Sequence, residues 1–267
     1  MSQKVPKIVI LLGVAATAAA VVFSQARIAQ DPAYHVFADA RPWLGVPNGQ
    51  NVWSNLPFLV AGLWGLAAWW RRGRPGVPHA EDGGKERAGW FCLFFGISLT
   101  AFGSAYYHWQ PDNASLFWDR LPMTLGFTGL YAAIIGERIS HHAYRLLLWP
   151  LVGLGVASVM AWYVGETQGQ GDLRLYALVQ FFPLLTIPLI MALYEARWSH
   201  GYLIFVALGW YLAAKALEHF DAAVWSATGE TVSGHALKHL AAAVGCAFLA
   251  SMYARRRRLG GAASTGS

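Results

Sequence analysis

Charge is what this chain has least of. Lys and Arg number 20 and Asp and Glu 14 in 267 residues, so charged side chains make up 13% of the total. That is about half the share usual in a soluble globular domain, and too little to cover a water-facing surface of this size. Cysteine is scarcer still. Cys92 and Cys246 are too few for a disulfide framework, and both fall inside apolar runs as small core residues. Long polar stretches are missing as well, which leaves no room for a soluble domain between the hydrophobic segments.

What fills the chain is hydrophobic sequence, 56% of residues. Eight apolar stretches stand out, near residues 7–24, 53–70, 89–108, 119–137, 144–164, 173–193, 200–217 and 234–254. Most have the length needed to cross a bilayer as a helix. Many of the 13 Trp and 11 Tyr fall near segment ends, among them Trp53, Trp70, Trp90, Trp109, Trp118, Trp149 and Trp162, as in interfacial aromatic belts. The expected fold is all-α, a polytopic transmembrane bundle. Residues 1–30 form an N-terminal anchor helix or a signal peptide, with Ser24-Gln25-Ala26 as a weak cleavage site; the anchor is favoured. A seven-helix membrane domain follows over 31–254, then a basic, disordered tail over 255–267.

Positive charge recurs on every second connection. Lys4 and Lys7, then Arg71, Arg72, Arg74, Lys85 and Arg87, then Arg138 and Arg145, Arg197, and Arg255–Arg258 all fall on one side if the spans alternate. That side is the cytoplasm by the positive-inside rule. The net charge of +6 is therefore a topology signal, and no nucleic-acid partner is needed to explain it. The expected placement is multi-pass in a membrane, with the opposite loops on the non-cytoplasmic side.

Three apolar segments carry polar side chains at that opposite end. Ser104 and His108 share a helix face four residues apart; Asp119 opens the next span after a short loop; His235 and His239 open the last one. Each has an ordinary reading. Ser104 can bond a carbonyl one turn back, Asp119 can favour a helix start, and a lone His-x-x-x-His is often structural. Together, at one membrane depth, they point to a metal site, because ionisable groups are costly there. Three neutral imidazoles with one open position form the ligand set of catalytic zinc. Zinc lowers the pKa of bound water to roughly 7, a carboxylate can move its proton, and a hydroxyl can donate to the developing oxyanion. His108, His235 and His239 would be the ligands, Asp119 the acid/base and Ser104 the oxyanion donor. Asp119 as a fourth ligand, or as a group orienting a histidine, stays open.

The arrangement Ser104-x-x-x-His108, Asp119 and His235-x-x-x-His239, with Asn51-Val52-Trp53-Ser54-Asn55, Gly171–Arg174 and Gly229–Lys238, resembles the CREST superfamily of membrane hydrolases, specifically the bacterial ceramidase-like branch of the alkaline ceramidases. The resemblance covers about residues 45–254. It implies a seven-helix core, three histidines on zinc, and Ser and Asp assisting amide hydrolysis. The substrate would be a ceramide or another N-acyl lipid reaching the site from the bilayer. Calcium is not implied: Asp39–Asn51, where the eukaryotic members carry an acidic site, has one carboxylate. The alternative is a seven-helix receptor of the progestin/adiponectin-receptor type with a structural zinc site. A second polar group, Lys215, Glu218, His219 and Asp221, reads either as an intrahelical ion pair or as support for the metal site or a lipid head group.

Overall fold

The computed structural model describes residues 4–74 and 85–259; tail residues 260–267 lie outside them. Among the described residues the chain is all-helical, without strands. In chain order the helices are α1 (Lys4–Ser24), α2 (Gly49–Trp53), α3 (Leu56–Arg72), α4 (Arg87–Trp109), α5 (Asn113–Arg138), α6 (His141–Thr167), α7 (Arg174–Leu193), α8 (Leu203–His219), α9 (Asp221–Ala227) and α10 (Gly234–Arg255). Six helical segments are long and apolar enough to cross a membrane, or seven if α8 and α9, bent by 80°, count as one span. This is the pattern of a multi-pass membrane protein.

α5 falls outside that set. It carries Asp119, Arg120, Glu137 and Arg138, and it is shielded by packing against α4, α6 and α7. Its start is set by a capping box. Asp112 accepts from Ser115 N at 2.6 Å while Ser115 Oγ accepts from Asp112 N at 3.1 Å, satisfying donors that a helix start leaves free. The helix therefore begins at Asn113, and Asp119 sits about two turns inside it rather than at its start as the hydropathy pattern implied.

Neighbours follow as α6, α5, α4, α3, α10 and α8, with α7 on α5 and α6. α1 leans on α7 and has none of its apolar span buried in the bundle. Two tryptophans expected at the membrane surface are instead core residues. Trp90 and Trp162 are fully buried, and their indole N–H groups donate to Glu137 (2.7 Å) and Glu166 (3.1 Å). An indole goes inside when its one donor finds an acceptor there. Trp53, Trp70, Trp109, Trp118 and Trp149 remain exposed.

The two ends of the bundle differ. At the basic end Arg256 is buried and paired with Glu137, Arg72 donates to Arg256 O at 3.0 Å, and Arg138 to Tyr194 O at 3.0 Å. At the other end the segment between α1 and α2 folds over the helix termini. There α4 and α5 come close because Gly103 has no side chain: a Cβ would lie 2.1 Å from Trp118 O. Small residues permit such backbone approach between membrane helices. Gly103→Ala should therefore push apart the helices that carry Ser104 and Asp119. The expected cost is that of overpacking, about 1–3 kcal/mol, read as a lower melting temperature in detergent. An unchanged melting temperature would show that this approach does not hold the two helices together.

Candidate metal centre

His108 lies in the last turn of α4, and His235 and His239 in the first two turns of α10. α10 starts where Ser233 caps it, accepting from Ala236 N at 3.0 Å. Gly234 lets that start press against the α8–α9 bend, where a Cβ would lie 2.3 Å from Leu217 O. Asp221 ties the corner together: one oxygen accepts from His235 N (2.8 Å), the other from Ala38 N (3.0 Å). A carboxylate at a helix N-terminus is favourably placed.

All three imidazoles are buried, and one ring nitrogen from each lies within 4.8 Å of the others. His108 Nε2 is 3.2 Å from His239 Nε2 and 3.3 Å from His235 Nε2. Two nitrogens bound to one tetrahedral zinc at its usual bond length lie roughly 3.3 Å apart, so the spacing suits such an ion. No carboxylate belongs to the group. The Phe37 ring packs edge-on to His108 at 4.7 Å and tilted against His235 at 4.8 Å, closing one side of the site.

The hydrogen bonds around the rings set their tautomers. The Ser54 hydroxyl gives its proton to Asn51 O at 3.0 Å, so in its 2.8 Å contact with His239 Nδ1 the ring is the donor. That leaves the lone pair on Nε2, toward His108. An ammonium can only donate, so the 2.8 Å contact of Lys238 Nζ with His235 Nε2 puts a lone pair there too. A metal at that nitrogen would require the ammonium to withdraw toward Glu218 Oε1, which already holds it at 2.8 Å. His108 Nδ1 is buried with no hydrogen-bond partner, while the backbone carbonyl of the same residue accepts from Asn48 Nδ2 at 2.9 Å.

A cavity of about 520 Å³ opens beside this group, with Ser104, Asp119, Lys238 and His239 at its polar head. His108 and His235 are not among its lining residues. Ser98 and Thr100 bond carbonyls one turn back, whereas Ser104 meets the Asp119 side chain. In the second polar group the expected intrahelical pair is present. Lys215 and Glu218 form the intrahelical pair, while Asp221 supports α10 and Glu218 holds Lys238. The His219 ring meets the Phe220 ring edge-on at 4.8 Å. Sequence spacing brought out the five polar residues on α4, α5 and α10. It did not single out Ser54 as a ring partner, Phe37 as a wall, or Arg120 and Tyr34 beside the cavity. Only the resemblance, through Asn51–Asn55, touched one of them.

Compared with protein-family models and with curated proteins, the chain matches none. The roles of these residues therefore rest on geometry and chemistry.

Ser54 gives a direct check on the donor set. Loss of a hydrogen-bond partner behind a histidine ligand weakens metal binding about 10–100-fold, so Ser54→Ala should lower zinc affinity by that factor in a chelator competition. His235→Ala/His239→Ala should abolish binding altogether. Tight zinc binding by the double variant would move the metal elsewhere.

Proposed function

We propose that this protein is a zinc-dependent hydrolase that works inside the membrane, cleaving the amide bond of a ceramide or another N-acyl lipid and releasing a fatty acid. The observation that carries the reading is a deep apolar cavity whose polar head is lined by Ser104, Asp119 and His239, the last of them one of three clustered imidazoles. Along α5 the lining runs from Asp119 to Leu130, roughly 16 Å at the helical rise. Half the hydrocarbon thickness of a bilayer is about 15 Å, the depth reached by one acyl chain. The cavity thus has the shape of a polar head site with an acyl slot.

His108, His235 and His239 would hold the ion. Zinc would supply Lewis acidity, under which a water gives up a proton near neutral pH. Asp119 accepts that proton and returns it to the amide nitrogen as the C–N bond breaks, leaving carboxylic acid and amine. The Ser104 hydroxyl donates to the carbonyl oxygen as charge builds on it. The apolar wall keeps solvent from the acyl chain.

In this reading α2–α3 through α10 form a seven-span core of the alkaline ceramidase kind within the CREST superfamily, and α1 is an added anchor. The protein sits in the bacterial inner membrane with the site end periplasmic and the basic end cytoplasmic. The receptor alternative would bind zinc and leave acyl lipids intact.

Asp119→Asn tests the chemistry. It should retain zinc and lower the turnover of an N-acyl lipid by about 10²–10⁴-fold, the usual contribution of a positioned acid/base. An unchanged rate removes Asp119 from the reaction, and a wild type that holds zinc without cleaving any N-acyl lipid favours the receptor. Cys246 lines the slot from α10, so Cys246→Phe should shorten it. With burial worth about 0.8 kcal/mol per methylene, excluding three lowers kcat/KM on the longest chain roughly fiftyfold, with little effect on short chains. A uniform loss across chain lengths would mean the acyl chain does not use this slot.

A further inference from the structure

Arg120 follows Asp119 on α5 and has no part in the proposed chemistry. It is 6% exposed and is among the residues that line the same cavity. The guanidinium lies 4.3 Å from the Trp162 ring, 5.0 Å from Tyr176 and 5.7 Å from Tyr34. One amino group donates to Gln30 Oε1 at 2.6 Å, but Nη1 is buried with no hydrogen-bond partner.

Among the described residues no carboxylate pairs with it. Asp119 is turned to Ser104. Glu166, which shares Gln30 and Trp162 with Arg120, uses Oε1 for the Gln30 backbone N–H and the Trp162 indole. Glu218 takes both cavity lysines, Lys215 and Lys238. The lining thus holds three cations against two carboxylates; Arg120, whose charge also acts on Asp119, is the one of the three without an ion pair. A buried guanidinium without an ion pair is costly at membrane depth, and one held by aromatic faces offers its fork in a fixed direction. Docking the Gln30 segment would need only one of its donors.

We infer that Arg120 is the anion subsite of this cavity, and that the N-acyl lipid it takes carries a negative group, such as a carboxylate, sulfonate or phosphate, a few bonds from its amide nitrogen. The amide in that statement rests on the hydrolase reading; the anion does not. Since Asp119 and Arg120 are adjacent in the chain and line one cavity, a head group held by Arg120 leaves the amide near Asp119 and Ser104.

The test is a binding measurement on metal-free, full-length protein in detergent, where turnover and attraction to the metal play no part. The probes are N-hexadecanoylglycine, its neutral counterpart N-hexadecanoylethanolamine, and hexadecanoate. Wild type should bind the glycine conjugate at least about tenfold more tightly than the ethanolamide. Arg120→Gln should bring the two within about twofold, and Arg120→Lys, which keeps the charge but not the fork, should restore part of the gap. Equal affinities in wild type overturn the inference without any variant. So does a tenfold gap that survives in Arg120→Gln with a wild-type melting temperature. Hexadecanoate bound as tightly as the glycine conjugate, and equally dependent on Arg120, would put the anion at the acyl carbonyl and overturn the head-group assignment. The same probes, offered to zinc-loaded protein, separate the two readings: discrimination without cleavage sinks the hydrolase and leaves the anion subsite standing.

Discussion

A helix with a pair of charges near each end cannot face hydrocarbon, and α5 is such a helix. Asp119 and Arg120 lie toward one end and Glu137 and Arg138 at the other. In a bilayer each charged or polar group has to find its partner within the protein, so the other helices are arranged around α5. α4, α6 and α7 shield it along its length. Glu137 is met by Arg256 and Trp90, which draws the end of α10 and the start of α4 to the basic end. Asp119 is met by Ser104, which draws the end of α4 to the other. Removing the charges would make α5 an ordinary apolar span, and nothing would then oblige the two polar ends to form.

The same demand organises the metal centre. The contacts of His239 with Ser54 and of His235 with Lys238 each run in one direction, and that leaves few choices for their protons. Asn51 O takes the Ser54 proton, so Ser54 takes the His239 proton. Lys238 only donates, so His235 Nε2 only accepts. His239 thus holds its proton outward, toward Ser54, and turns a lone pair inward, while His108 Nδ1 has no partner to hold a proton on its outer side. A cation could meet His235 Nε2 only after Lys238 swings toward Glu218, which already holds it.

Much of this is legible in the sequence, for a specific reason. Four-residue spacing on an apolar run survives folding as one face of a helix, so spacing alone pairs Ser104 with His108 and His235 with His239. Charge alternation sorts the two ends equally well. Hydropathy errs where side chains that look like one environment occupy another. Residues 113–118 are mixed in polarity and read as loop, yet Asp112 and Ser115 cap a helix there. Trp90 and Trp162 have interfacial composition but internal acceptors. The segment over the site is illegible altogether, since Gln30, Tyr34, Phe37 and Asn48 reach their partners across distances in the chain that no periodicity encodes.

That segment also explains why the cavity is closed at its polar end and apolar below. Phe37 covers His108 and His235, Asn48 holds the His108 carbonyl, and Tyr34 reaches Glu218 at 3.4 Å. A route through this cover would have to break several of those contacts together. On the opposite flank α7 and α8 share little backbone contact and are bridged by one bond, from Gln180 Nε2 to the Tyr211 hydroxyl at 2.9 Å, among exposed apolar side chains such as Phe181 and Leu212. Parting one hydrogen bond costs far less than unseating a folded segment, since a single bond contributes about 1 kcal/mol net. Under the proposed hydrolase reading an acyl chain would therefore pass between α7 and α8, with the cover left in place over the three imidazoles.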